Sequence, residues 1–232
     1  ASKYNLFVIE DAAQGLMSSY KGQPLGSIGH IGCLSFHETK NYQCGEGGAI
    51  LLNDEYLSQR AEIIREKGTN RSQFIRGMID KYRWVDVGSS YLPSELNAAF
   101  LYAQLETAHK VNEKRLSLWN EYLKQLFRVS QVDLQIMPNE LRHNAHIFYI
   151  KLKDINERQR MIEYLKSYKI QSVFHYIPLH KSRKCSKYNY FHGEDRFTTK
   201  ESERLLRLPI YYDLEIADVK YICSKVKGFF ND

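Results

Sequence analysis

Leu6-Phe7-Val8-Ile9 is an unbroken apolar run, and the acidic pair Glu10-Asp11 follows it at once. A run with no polar alternation suits a parallel strand covered on both faces. The pattern returns twice. Cys33 to Phe36 forms a second short stretch, with Lys40 just beyond it, and Ala49-Ile50-Leu51-Leu52 forms a third, entered through Gly47-Gly48. Adjacent glycines permit positive φ or close backbone approach, although a plain tight turn is their commoner use. With helical segments between them, these strands place the chain in the α/β class.

Two of the runs deliver a reactive side chain at their ends: a carboxylate, Asp11, and an amine, Lys40. Pyridoxal 5'-phosphate (PLP) chemistry needs that pair. A lysine amine condenses with the aldehyde, and an acid opposite the ring nitrogen keeps it protonated so that the ring can draw electrons from a substrate carbon. The bland alternative has weight. The chain has 33 Lys+Arg and 27 Asp+Glu, and charged residues are mostly solvated. Strand-end placement and flanking glycines favour the functional reading without deciding it.

Glu10-Asp11-Ala12-Ala13-Gln14, Ser35-Phe36 with Lys40-Asn41, and Gly45-Glu46-Gly47-Gly48-Ala49-Ile50 resemble the signature of the sugar-nucleotide aminotransferases, the DegT/DnrJ/EryC1 family. The likeness continues through Ser94-Glu95-Leu96-Asn97-Ala98-Ala99, Gln104-Leu105, Tyr176-Ile177-Pro178-Leu179-His180 and Leu208-Pro209-Ile210, in the right order along nearly the whole chain.

The resemblance implies part of a fold-type I aminotransferase large domain, a mostly parallel sheet with helices, followed by a smaller C-terminal α+β domain. The expected division is residues 1–127 and 128–232, with the chain as the C-terminal portion of a longer enzyme. It implies PLP as cofactor and transfer of an amino group from glutamate to a keto sugar nucleotide. By the same resemblance Lys40 is the Schiff-base lysine and Asp11 pairs with the pyridinium nitrogen. Gln14 lies near the phenolic oxygen or ring face, and Ser35 donates to the phosphate. Tyr176 and His180 are expected at the substrate, and a homodimer with shared active sites is implied. One departure is visible: Ser90-Tyr91-Leu92 stands where many members have Asn-Tyr-Arg. The family's asparagine reaches the neighbouring subunit's PLP phosphate, so Ser90 keeps a shorter version of that contact or loses it. Two alternatives stay open: a PLP-dependent sugar dehydratase, whose relatives carry histidine at the Schiff-base position, and an inactive fragment or assembly module.

Composition limits the other classes. No stretch approaches the ~20 apolar residues that span a membrane, and no secretory signal opens the chain. Cys33, Cys44, Cys185 and Cys223 form no Cys-x-x-Cys pair and are expected as free thiols of a reducing cytosol. The net charge of +6 suits an anionic partner such as a nucleotide sugar, while the absence of a long basic run argues against nucleic acid. His37, His175 and His180 lack ligand spacing, so no metal site is expected.

Periodicity supplies the remaining elements. A short helix is expected over 12–19, a helix capped by Asn53 or Asp54 to about Lys67, and an exposed loop over 68–83. A long helical stretch starts at Pro93-Ser94, with a stripe of Leu96, Ala99, Phe100, Ala103 and Leu105 read as packing, a kink near Ala108-His109, and continuation to Phe127. Further on come a strand over 146–152, a helix capped by Asp154 with Glu157, and a strand over 171–174. A basic, aromatic loop over 178–194 holds His180, Lys181, Arg183, Lys184, Tyr188, Tyr190 and His192; a lip over phosphate and a solvated loop are about equally expected. A helix over 201–206 and a final helix over 216–229 complete the chain.

Overall fold

The computed structural model describes residues 1–183 and 191–231. Lys184, Cys185, Tyr188 and Tyr190 of the basic loop lie outside the described residues. The chain divides into two compact units, Ala1–His109 with Asn139–Asn144, and Lys110–Pro138 with Ala145–Asp232. No helix among the described residues is long and apolar enough to cross a membrane.

The first unit begins with strands β1 (Ile9–Asp11), β2 (Ser19–Tyr20), β3 (Gln23–Pro24), β4 (Ile31–Ser35) and β5 (Gly48–Leu52). Helices α1 (Ser58–Arg65), α2 (Arg71–Ile75) and α3 (Glu95–Glu106) follow, and α4 (Ala108–Leu126) leads into the second unit. That unit holds β6 (Asp133–Leu134), β8 (Phe148–Lys151), α5 (Ile155–Ser167), β9 (Val173–Phe174), α6 (Thr198–Arg204), β10 (Leu205–Leu208) and α7 (Ile216–Gly228). Between β6 and β8, strand β7 (Leu141–Arg142) returns to the first unit.

In the first unit β1 and β4 pair in parallel, Asp11 opposite Cys33, while β4 and β5 run antiparallel, Ser35 opposite Gly48. A second small sheet joins β3, β2 and β7. The apolar run expected as a covered strand is displaced: the strand begins at Ile9, and Leu6, Phe7 and Ile9 are 60%, 68% and 65% exposed. β1 is the edge of its sheet, and no layer among the described residues covers these side chains. The helix expected over 12–19 is a series of turns, with Met17 in left-handed backbone, which an α-helix cannot contain. Within the expected 68–83 loop, residues 71–75 form the short α2, stopped before Gly77, whose φ is +71°.

Asp154 caps α5 as expected, accepting from the Glu157 amide, and Ser94 accepts from Asn97 at the expected start of the long helical stretch. Asp54 accepts from the Tyr56 amide, but it caps a 3-10 turn over Glu55–Leu57, and α1 follows at Ser58 without a side-chain cap. The long helix breaks at Thr107, next to the expected kink. Its first half departs from expectation, because Leu96 and Phe100 of the supposed packing stripe are exposed.

The main core lies in the second unit. Sheet order is β6-β8-β10-β9. Phe148 and Ile150 of β8 pair with Leu208 and Leu206 of β10 on one face, fully or nearly fully buried. They pack with Leu118, Trp119, Tyr122 and Leu126 of α4, Met161 and Leu165 of α5, and Val219, Ile222 and Val226 of α7. Burying each such side chain contributes ~1.5–3 kcal/mol, so this cluster dominates the unit's stability. Tyr122 stacks on Phe148 at 4.7 Å, and its hydroxyl donates to the Pro209 carbonyl at 2.7 Å. The helix expected over 201–206 lies earlier, at 198–204. Leu205 to Leu208 alternate half-buried and buried, the period of a strand.

Candidate active site

Strand register sets the geometry. Partners across a sheet project to the same face, and residues two apart on one strand share it. Asp11 is paired with Cys33, so Asp11, Cys33 and Ser35 share one face of the first unit's sheet. β1 and β4 are parallel, so Asp11 and Ser35 both sit at carboxyl ends. Strands ~4.8 Å apart, with a rise of ~3.3 Å per residue, put their Cα atoms about 8 Å apart. The crevice beyond the carboxyl ends of parallel strands is the general ligand position of such sheets. The face is open, because Asp11 and Ile50 are exposed there.

Glu10, on the opposite face, fixes the end of β1. Its carboxylate accepts the amides of Gly26 at 2.9 Å, Ile28 at 2.6 Å and Gly29 at 2.5 Å. Burial works against its charge, but the donors of Gly29, Gly26 and Ile28 prevail and hold it below the usual carboxylate range. Asn53 completes the clasp by donating to the carbonyls of Gly26 and Gly29.

Lys40 is half-buried on the loop joining β4 to β5. Within the loop, Lys40 N donates to the His37 carbonyl, Cys44 N to Phe36, and Glu38 N to Gly45, whose φ of +79° turns the chain back. Residues from later in the sequence hold the loop from outside. The buried Tyr42 donates its hydroxyl to the Ala108 carbonyl at 3.0 Å. Gln104 grips Gln43 at two points, accepting its amide at 3.2 Å and donating to its carbonyl at 2.7 Å. Asn97 donates to the Glu46 carbonyl at 3.2 Å, and Asn41 to the Asn144 carbonyl at 3.0 Å. The motif residues Asn97 and Gln104 thus work through the lysine loop. Asn144 and Tyr42 belong to no motif singled out in the sequence, and only their long-range hydrogen bonds reveal them.

The structure brings Asp11, Ser35 and Lys40 to one end of one sheet, with Gln14 on the exposed turn after β1. Ser35 Oγ accepts the His37 amide at 3.3 Å. A carboxylate and a hydroxyl on one open sheet face, with an amine on the loop leaving the same strand end, are the groups that PLP would need. Ser90 is exposed and pairs through its backbone with Glu66, with no hydrogen bond to that group among the described residues. Tyr176 and His180 belong to the second unit. Tyr176 is exposed and touches the His175 ring. His180 Nε2 lies 2.8 Å from Asp195 Oδ2 and 3.3 Å from the Thr199 hydroxyl. The Thr199 hydroxyl and then His180 hold the Asp195 carboxyl below the usual range.

Residues 1–227 match the family model described as the DegT/DnrJ/EryC1/StrS aminotransferase family. The chain belongs to this family. An uncharacterized protein of Methanocaldococcus jannaschii is 29% identical over 100% of the chain and 62% of its own length. Among solved structures, DesV of S. venezuelae superposes with a TM-score of 0.86 at 25% identity, over 100% of this chain and 60% of that one. A Streptococcus pneumoniae protein described as a sugar aminotransferase, solved in its PLP form, gives 0.83 at 21%, over 97% and 58%. The chain therefore spans about three-fifths of the length of the relatives it matches. The family's fold accounts for the mixed α/β architecture of the first unit.

Proposed function

We propose that the full-length protein transfers an amino group from glutamate to a 4-keto-6-deoxy sugar nucleotide, dTDP-linked, giving a 4-amino-4,6-dideoxy sugar for surface polysaccharide. The observation that carries this reading is the shared sheet face of Asp11 and Ser35, with the anchored loop of Lys40 leaving the same strand end. Bound PLP supplies an electron sink for the substrate carbon. Asp11 holds a proton on the ring nitrogen by lying opposite it as a carboxylate. Lys40 is the attachment point, and its amine, once released, carries a proton to and from the substrate carbon. The Ser35 hydroxyl donates to the phosphate, and the Gln14 amide borders the ring. Tyr176 and His180 contact the sugar nucleotide. In a homodimer with shared sites, Ser90 takes the place of the longer asparagine toward the partner's phosphate.

Lys40 also weighs against sugar dehydration, since relatives with that activity carry histidine there. The test uses full-length protein with PLP. Wild type should show visible absorption from the attached cofactor, and Lys40→Ala should abolish it. With glutamate and the keto sugar nucleotide, mass spectrometry should find an amino sugar and 2-oxoglutarate. An unchanged band in Lys40→Ala removes the lysine assignment, and a 3-deoxy product removes the transaminase reading.

A further inference from the structure

Asn144 ties together the two segments that flank the proposed cofactor site. It is 5% exposed. Its side-chain amide donates to the backbone carbonyls of Gln14 at 2.7 Å and Leu16 at 2.8 Å, while its backbone carbonyl accepts the Asn41 side chain at 3.0 Å. The turn over 13–17 is not helical, so its carbonyls lack the ladder partners a helix would give and need donors from elsewhere. One asparagine supplies two of them and, through Asn41, holds the residue after Lys40.

The chain makes an excursion to put it there. Residues 139–144 belong to the first unit although both flanks belong to the second. The Lys21 amide donates to the Glu140 carbonyl at 2.8 Å, and β7 pairs with β2, Ser19 opposite Arg142. Directly after Asn144, Ala145 has φ of +50°, left-handed backbone that an alanine adopts only at a cost. A strap that enters the first unit, delivers one buried side chain and leaves through an unfavourable backbone angle has a positioning task.

We propose that Asn144 is a positioning residue that sets the spacing between Gln14 and Lys40, and so the width of the slot that takes the cofactor. The inference rests on the assignment of Lys40 above. An aspartate at 144 has the same shape, but when ionised it turns a charge on two carbonyl oxygens. When protonated it regains one donor. Its carboxyl, buried against carbonyls, is pushed up, so protonation comes within reach of mildly acidic pH.

The experiment titrates PLP into the full-length protein and its variants, following visible absorption and protein fluorescence between pH 6 and pH 8. Asn144→Asp should bind PLP at least ~10-fold more weakly than wild type at pH 8, a loss of about 1.4 kcal/mol. It should recover threefold or more at pH 6, a step absent from Asn144→Ala. Asn41→Ala leaves the Asn144 side chain in place, removes the bond to its backbone carbonyl, and should weaken PLP binding in the same direction, which keeps the test decisive if the 144 variants do not fold. PLP affinity within twofold of wild type in Asn41→Ala, or in both 144 variants, overturns the proposal. Lys40→Ala run in parallel separates the two claims. If it keeps the visible band, the lysine assignment falls. If it loses the band while the other variants bind normally, only the role of Asn144 falls.

Discussion

Replacing Glu10 by glutamine keeps the side chain's shape and removes its charge. Glu10 Oε1 serves the amides of Ile28 and Gly29, and Oε2 serves Gly26. Glutamine can retain two of these on its carbonyl oxygen, but its NH2 then meets the Gly26 amide, donor against donor. One charge-assisted bond worth about 1.5–3 kcal/mol is lost, and two weaken by about 1 kcal/mol each. The ceiling is about 3.5–5 kcal/mol, and water reaching this half-buried site reduces it to about 2 kcal/mol. Local opening of the 26–29 loop should then be about 30-fold more frequent. Amide hydrogen exchange read by NMR measures this directly, with α7 amides as an unchanged reference. The effect has a pH signature. The folded pKa of Glu10 lies below its ordinary value of 4.5, so the extra stability is present above that value and fades as pH falls through the folded pKa. Wild type and variant should therefore differ most near neutrality and converge in acid. Exchange within threefold of wild type at Gly26, Ile28 and Gly29 near neutrality would show that the carboxylate does not hold the loop.

Other expectations concern packing and thiol chemistry. A Cβ at Gly32 would lie 2.1 Å from the Gly26 carbonyl oxygen, so Gly32→Ala should displace β4 from the loop, cost roughly 3 kcal/mol or more as overpacking, and lower the urea midpoint of the first unit. Tyr122→Phe strands the half-buried Pro209 carbonyl and should cost about 1–2 kcal/mol by urea unfolding; an unchanged midpoint would mean that water replaces the hydroxyl. Burial pushes the Cys223 thiol up to about 12, so at pH 8 it should resist a thiol-disulfide reagent in the native protein and react on unfolding.

The sequence carried what is local. Ser94, Asp54 and Asp154 announce their helices because a cap needs only the next few residues. The placement of Asp11, Ser35 and Lys40 at or just past strand ends was legible because strand ends and glycines are also local signals, whereas the roles expected of them came from the family resemblance. The Leu205–Leu208 alternation was present in the sequence too, but a helix through 201–206 read over it. Residues 12–19 have fair helical composition, yet their carbonyls are taken by Asn144, more than 120 positions away. The stripe of Leu96 and Phe100 has helical spacing and forms a helix, but periodicity names a face without saying what meets it. The anchors of the lysine loop were the least legible, since each is a single polar contact between distant segments.

Those anchors also order events during synthesis. Asn97, Gln104, Ala108 and Asn144 stand 51, 61, 66 and 103 positions after their partners in the loop. A ribosome adding ~5–20 residues per second releases the last of them about 5 to 20 s after Asn41. Until then the loop around Lys40 lacks its full set of restraints, so a nascent chain should not acquire a competent amine piecemeal. Readiness of the site reports that the first unit has closed over its most distant contribution.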